Sequence, residues 1–420
     1  PAALEFDHGC QFFRADTAEM KELVSAWCEA GWAAEWGGRF GTAGEGVPVD
    51  FFGLPSNETP VYSGVGGMHM LPRRLLNACD SDRVQVRRGV RVSGMDREAD
   101  GSWALLGVSG AAAFHDTADG AAQQAQREVL GLFDLVVLTD VSSSFGGWHR
   151  ASAGVPEAFA AQVRDRVRVP MFSTMVAFAS PLGLPLDGIT FGGEGGVWFA
   201  ARTQSKPGLG AGGAGAECWT LVSTPRFATD EITAEPMQDA KTGAFKPQED
   251  SYLNSGPAPA LLAAFLRDTA PMRADGAAVP EVVYLQGQRW GSALPAPGEV
   301  GGRDAKGRGE HTLEIMGVQY AHADHHSPTS SPPSMPSHHS ISYCLLAVCG
   351  RYESATPPLV FPRPTPAAGA GDSGDFLADD ALRLYYAGDF TSRRAPGFEA
   401  AALAGRAAAE HIARRLEGKA

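Results

Sequence analysis

Apolar positions recur along this chain with two different periods, and the change from one to the other predicts most of its elements. In residues 16–36, DTAEMKELVSAWCEAGWAAEW, the apolar set Met20, Leu23, Val24, Trp27 and Cys28 falls at i, i+3, i+4, i+7 and i+8, one face of a helix. Asp16 with Glu19 three residues on predicts its start, as a variant of the capping box. Helices are also predicted over 156–168 and over APALLAAFLRDTA (258–270). Residues 62–79, YSGVGGMHMLPRRLLNAC, predict a strand end, a tight turn at Gly66–Gly67 and a helix with Pro72 in its first turn, where a missing N–H costs nothing.

The shorter period predicts strands. FDHGCQFF (6–13) reads as a short strand ending in a polar turn. VQVRRGVRVSGMD and SWALLGV alternate and predict a hairpin. FDLVVLTDV (133–141) is a continuous apolar run, as expected of a strand covered on both faces. MFSTMVAFA, GITFGG, GVWFAAR, CWTLVST and EVVYLQGQRW add strands between 171 and 290. Three stretches carry neither period: 109–126, the Gly/Ala-rich 205–217, and 299–375, which is dense in Pro, Ser, Gly and His. These predict surface loops or disorder. The last, with HADHHSPTSSPPSMPSHH, reads like translated non-coding sequence.

Composition narrows the partners. The chain has 420 residues, 44% of them hydrophobic, room for two domains or one large α/β domain with another inserted. A net charge of −13 argues against nucleic acid and against an anionic membrane surface. No apolar run approaches the roughly 18 residues of a membrane span, and no signal-peptide pattern follows Pro1. Cys10, Cys28, Cys79, Cys218, Cys344 and Cys349 are scattered, mostly in apolar surroundings, which predicts buried thiols in a reducing, intracellular compartment. The Ala/Gly-rich stretches suggest a GC-rich genome and leave cytoplasm and plastid both open.

The strongest chemical signal lies in LRLYYAGDFTSRRAPGFEAAALAGRAAAEHIARR (382–415). A strand delivers Gly388 and Asp389 to a loop, where glycine lets backbone approach a ligand and the carboxylate can accept from sugar-like hydroxyls. A helix beginning near Phe398–Glu399 would aim free N–H groups at whatever lies above the strand end, an arrangement suited to phosphate. The small residues Ala400, Ala401, Ala402, Ala404 and Gly405 allow close packing of that helix. The bland alternative is a strand–loop–helix ending with Asp389 as a cap.

Five stretches together resemble the renalase-like branch of the flavin amine-oxidase-like superfamily, in that family's order. AGDF…PGFEAAALAGRAAAEHI resembles its last FAD motif. FDHGCQFF with a helix ending in AEW resembles the segment after its Rossmann unit. VYSGVGGMHMLPRRL resembles its Gly-Met turn and helix, VQVRRGVRVSGMDREADGSWAL its adenine-side strand and hairpin, and LQGQRWGSALPAP its Arg-Trp motif. The resemblance implies an α/β fold with mixed sheets, a Rossmann-like FAD-binding domain interleaved with a mixed-sheet substrate domain. Residues 1–15, 66–150 and 376–420 would belong to the flavin domain, 16–65 and 151–298 to the substrate domain, and 299–375 to an insertion.

The same resemblance implies FAD as cofactor. Gly388 and Asp389 would meet its ribityl and pyrophosphate, Phe398, Glu399 and Ala400 would form the helix start near the ring, Gly67 would sit in the flavin-side turn, and the Val90 backbone would meet the adenine. It implies oxidation of a small molecule, such as a nicotinamide dinucleotide, by hydride transfer to flavin with oxygen as acceptor.

Three departures qualify it. The front strand, G-x-G-x-x-G turn and helix, about 30 residues, do not occur from Pro1 onward, so the expectation is that these 420 residues alone hold FAD weakly. The literal G-x-G-x-x-G at Gly208–Gly213 follows no strand and precedes one, and GGR at 37–39 lies after FDHG, so neither supplies that turn. Thr139-Asp140 stands where relatives have a small residue and Pro.

On the substrate side, His8 is either near the flavin edge or a hydrogen-bonded structural histidine. Gln11 with Phe12 and Phe13 either rims a cavity or belongs to core. Arg289 and Trp290 either flank the ring or form a packed cation–π pair. His322, His325, His326, His338 and His339 are separated by Pro and Ser, which give no rigid geometry, so no metal is expected. No Ser-His-Asp set or carboxylate pair stands out, and a flavin would need none. The rival class is a flavin-domain derivative that binds no cofactor and serves as a structural or binding protein; an amine or polyene oxidase is a lesser alternative.

Because 305–340 has no periodic apolar face, it should bury little area. Its deletion is expected to move the melting temperature by no more than a few degrees in a thermal scan; a larger drop would show that it packs.

Overall fold

The computed structural model describes residues 4–43, 60–79, 84–110, 127–164, 166, 168–192, 195–210, 215–244, 246, 250–273, 277–295, 374–394 and 396–418, together with the two short strands at 313–315 and 318–320. It is a mixed α/β protein whose elements gather around two larger cores and a joint between them.

Helix α1 (Ala18–Glu29) buries Met20, Val24 and Trp27, the face predicted by the apolar spacing. Its cap is Thr17, not Asp16: the Thr17 hydroxyl accepts from Met20 N–H at 3.2 Å. The helix ends before AAEW. Ala33–Glu35 is instead strand β1, paired antiparallel with β3 (Tyr62–Gly64). Residues 6–12 form no strand either; Phe13 alone bridges to Tyr62. The polar groups of that segment go to tertiary partners, which an alternation pattern cannot reveal. Helix α2 (Met70–Asn77) follows β3 through the glycine turn.

The first core lies under a six-stranded sheet. Among the described residues its strands are β2 (Phe40–Ala43), β8 (Arg168–Phe178), β9 (Gly188–Phe191), β10 (Val197–Arg202), β11 (Glu217–Ser223) and β12 (Val282–Pro295), in the order β12-β8-β11-β10-β9-β2. All neighbours are antiparallel except β2 and β9. Strand β8 is buried from Met171 to Phe178, so both faces are covered. Phe172, Val176 and Phe178 point with Trp219 and Leu221 into one core, while Ser173 faces the 7–11 segment. That core is roofed by helices α4 (Pro225–Ala234), α5 (Asp250–Ser255) and α6 (Pro257–Asp268). Both α4 and α6 begin with proline at the first turn, where no N–H is needed. On α6, Leu261, Ala264 and Phe265 recur at i, i+3 and i+4 and meet the sheet.

The second core surrounds a three-stranded sheet. Strand β7 (Val136–Leu138) runs parallel to β16 (Leu384–Ala387), and β15 (Phe376–Asp379) pairs antiparallel with β16. Against one face lies the meander β4 (Val90–Arg97), β5 (Trp103–Ser109) and β6 (Glu128–Phe133) with helix α3 (Glu157–Arg164). Helix α7 (Phe398–Leu416) packs on the other through Ile412, Leu135 and Tyr385. The predicted helix at 156–168 is shorter because β8 already begins at Arg168.

Between the two cores, Phe13, Met20, Trp27, Leu71 and Leu403 tie α1, α2 and α7 together. Within 299–375 the described residues form a small antiparallel pair, β13 (Leu313–Ile315) with β14 (Val318–Tyr320), where no periodic element was expected. Four cysteines are described. Cys218 is buried and Cys28 half-buried; Cys79 is exposed, where the expectation of a buried thiol fails, and Cys10 is exposed as a residue while its thiol is desolvated by the protein around it.

Phe265 is fully buried, with Trp219 at 5.3 Å and Phe191 at 6.2 Å between ring centroids. Phe265→Ala is expected to cost about 3–5 kcal/mol through the cavity it leaves. Chemical denaturation should read this as a lower midpoint with an unchanged slope.

Candidate functional site

The N-terminal segment Asp7–Gln11 runs along the sheet face that carries Ser173 and is held there atom by atom. The Asp7 carbonyl accepts from the Thr220 hydroxyl at 3.1 Å and from the Gln11 amide. Its carboxylate accepts from Met68 N–H at 2.8 Å through one oxygen and from Lys206 Nζ at 2.9 Å through the other. Lys206 also donates to Gln11 Oε1 at 3.0 Å and lies 5.4 Å from the Trp36 ring centroid. Burial pulls its ammonium pKa down, and the Asp7 charge opposes that.

His8 is fixed by its carbonyl, which accepts from Ser173 Oγ at 2.7 Å; Ser173 Oγ in turn accepts from Trp290 Nε1 at 2.9 Å. The imidazole stacks on the Trp290 indole, centroids 5.3 Å apart and planes 19° apart. The protein around the ring lowers its pKa, with His69 adding and Asp7 opposing, so the imidazole is neutral at neutral pH.

The turn beside it needs its glycines. Gly66 and Gly67 have φ of 81° and 103°, a region that side chains resist. A Cβ on Gly67 would stand 3.2 Å from Asp7 Oδ1 and 3.0 Å from His69 Nδ1.

The C-terminal motif approaches the same segment. Cys10 keeps an exposed edge, yet its thiol is pushed up to about 11, first by the surrounding protein; Lys206 opposes this, while Asp7 and Asp389 both add to it. Strand β16 is buried throughout and delivers Gly388 and Asp389. The Gly388 carbonyl accepts from Thr391 N–H at 3.1 Å and from its hydroxyl at 2.8 Å. A Cβ on Gly388 would meet only Thr139 O, at 3.8 Å, and one on Gly397 (φ 135°) would meet nothing within 4 Å. Desolvation raises Asp389 to about 6, against N–H groups of Phe390, Asp389 itself and Gly397 that lower it.

Helix α7 starts next to α1. Phe398 stacks on Phe13 at 4.3 Å, and the Glu399 carboxylate accepts from Asp16 N–H at 2.7 Å and Thr17 N–H at 3.1 Å, the free donors at the start of α1. Ala400 is fully buried. Phe13 is therefore core, whereas Gln11 belongs to the Lys206 cluster.

Arg289 and Trp290 do not form a pair. Neighbours on a strand point to opposite faces: Trp290 faces His8, while Arg289 faces the helices and donates to Glu235 O at 3.1 Å. Burial lowers its guanidinium pKa to about 10, with Tyr252 opposing. Val90 opens β4 and packs against the core that holds Val136 and Tyr386. Asp140 caps the short turn Val141–Ser144 through Ser142 N–H at 2.9 Å. The Gly208 stretch lies between a 3-10 turn (Thr203–Ser205) and β11, with a strand and not a helix after it. The five histidines between 322 and 339 lie outside the described residues, as do Cys344 and Cys349. Among the described residues no cluster of three or more His, Cys, Asp or Glu could hold a metal. A cleft of about 460 Å³ between α1 and β1, lined by residues such as Lys21, Cys28, Glu35 and Tyr62, contains none of the groups above.

Asp7, Ser173 and Lys206 were missed from sequence. Asp7 was legible as the neighbour of His8 in FDHG. A lysine inside a Gly-rich stretch carries no signal of burial.

No family profile matches the chain, and no curated protein matches it. Solved structures that resemble it include a candidate protoporphyrinogen oxidase from Exiguobacterium sp. 255-15 (14% identity, TM-score 0.34, 58% of this chain and 42% of that one). A reduced UDP-galactopyranose mutase gives 11% identity and a TM-score of 0.35, over 59% of this chain and 44% of that one. An oxidoreductase from Methanosarcina mazei gives 12% and 0.33, over 56% and 45%. The chain thus spans less than half the length of each. Among the described residues no helix is long and apolar enough to cross a membrane.

Asp389 binds its proton more tightly in the folded chain, near 6, than at the ordinary value of 3.8. That contribution to stability is complete below the ordinary value and is lost as the pH rises through 6. Asp389→Asn is therefore expected to raise the melting temperature at about pH 7.5, the gain fading as the pH approaches 4. An equal gain at both pH values would count against a raised carboxyl.

Proposed function

We propose that this chain carries the flavin- and substrate-side elements of an FAD-dependent oxidoreductase. The observation that carries this reading is the delivery of Gly388 and Asp389, by a buried strand parallel to β7, to open backbone ahead of a helix. The fit to FAD rests on Gly388 and Gly397: the space beside the Gly397 Cα is open and that beside Gly388 is bounded only by Thr139 O, so a flat or phosphorylated ligand could lie close to the backbone. Asp389 would accept from ligand hydroxyls, and the first turn of α7 would present N–H donors. When bound, FAD would supply the acceptor of a hydride.

The chain's own residues do the rest. His8 and Trp290 stack as an aromatic wall for a planar substrate. The neutral imidazole can accept a proton without first losing one. Asp7, Gln11 and Lys206 hold the wall's backbone. In the renalase-like version of this reading the substrate is a reduced nicotinamide dinucleotide and oxygen the final acceptor.

A cofactor-free binding protein is the rival reading, favoured by one feature: the Glu399 carboxylate is already engaged by α1. The discriminating measurement is the visible spectrum of protein purified from its source. Flavin bands near one equivalent support the oxidoreductase; a colourless protein that FAD titration leaves unchanged supports the rival.

Asp389→Ala is expected to weaken FAD binding roughly ten- to a hundred-fold, since a hydrogen bond to a charged group contributes about 1.5–3 kcal/mol and each 1.4 kcal/mol is tenfold. Fluorescence titration reads this directly. Unchanged affinity in a folded variant would remove Asp389 from the site.

A further inference from the structure

We infer that Lys206 is a positioning residue of this site: its buried ion pair with Asp7 sets where His8 stands against Trp290 and the Gly66–Gly67 turn. The inference rests on the reading of the His8–Trp290 wall as the substrate side.

Lys206 has 0% side-chain exposure and Asp7 4%, so water screens neither charge. An ammonium so placed must be paired. Its donors meet the Asp7 carboxylate and Gln11 Oε1, and its remaining side faces Trp36. These contacts occupy its donors within the protein, which makes it a strut and not a group that reaches a substrate. Trp36 is held from the same stretch, its Nε1 donating to Ser205 Oγ at 2.9 Å.

One carboxylate therefore bridges two pieces of the chain. Lys206 takes one Asp7 oxygen, and Met68 N–H, just past the turn, takes the other. The piece bearing Lys206 is pinned to the turn a second time: Gly66 N–H donates to Pro207 O at 2.9 Å, and Gly208 (φ 70°) approaches so closely that a Cβ there would lie 2.7 Å from Gly66 N. Pro207 and Gly208 thus brace the turn. His8 follows Asp7 directly, so the strut acts on the same short stretch of backbone that Thr220 and Ser173 hold through the Asp7 and His8 carbonyls.

Removing one partner of a buried pair leaves an uncompensated charge, whereas neutralising both with side chains of similar shape is well tolerated. The test compares Lys206→Met, Asp7→Asn and the double variant in the full chain. The readout is the histidine ring NMR signals, with that of His8 identified by its loss in His8→Gln. Stacked on Trp290, the His8 signals should lie away from free-histidine positions. In the single variants they should move toward those positions, and in the double variant return.

FAD affinity measured on the same proteins should fall in the singles and recover in the double. Folded single variants with an unmoved His8 signal would overturn the role given to Lys206. So would failure of all three variants to fold, which would mark the pair as one that serves only the fold. If Lys206→Met alone does not fold, Asp7→Asn and the double variant decide. An unmodified chain that binds no FAD would sink the flavin reading, and the His8 signals would still report on the strut.

Discussion

A carboxylate removed from water is costly unless its oxygens find donors, and Asp7 meets that demand with one donor on each oxygen while its carbonyl takes a further partner, the three coming from distant parts of the chain. Met68 follows the glycine turn, Lys206 lies between β10 and β11, and Thr220, which bonds the Asp7 carbonyl, sits within β11. None of these contacts is local. The segment that carries His8 has no regular structure of its own, so its course is set by what the carboxylate and its neighbours require. The sheet supplies a rigid floor beneath it, and Ser173 links that floor to both His8 and Trp290.

The second joint works on different chemistry. At the start of α1 the free N–H groups of Asp16 and Thr17 are satisfied by Glu399, from the far end of the chain. A negative side chain at a helix start is also favoured by the helix dipole. Phe13 stacks on Phe398 alongside, so an aromatic contact and a charged one act at the same place. The N-terminal and C-terminal segments meet there, and the Gly388–Asp389 loop is brought toward the stretch that carries Cys10 and His8.

Much of the architecture was legible in apolar spacing. The face of α1, the β4–β5 hairpin and the strands between 171 and 290 follow periods that packing enforces, whereas the last helix was legible from its run of small residues. The cap of α1 was misread by one residue, because Asp16 and Thr17 are both good capping residues; Thr17 takes Met20 N–H, while the Asp16 carboxylate pairs with Arg14. The 6–13 segment looked like a strand because it contains three phenylalanines, yet those rings serve separate contacts, Phe6 on Tyr284 and Phe13 on Phe398. Lys206 was invisible for a different reason. Burial of a lysine depends wholly on a partner elsewhere in the chain, and the surrounding glycines read as a loop.

Strand β12 lies at the edge of its sheet and is paired with β8, and it carries register irregularities at both ends of the stretch from Tyr284 to Trp290. Such bulges pin an edge strand that would otherwise be free to slide. Sliding by one residue would exchange its two faces. The guanidinium of Arg289 would then stand against His8, and the indole of Trp290 would be driven among the helices. The neutral, aromatic character of the wall beside His8 is thus a property of alignment as much as of composition: the same residues in the other register would make that wall cationic.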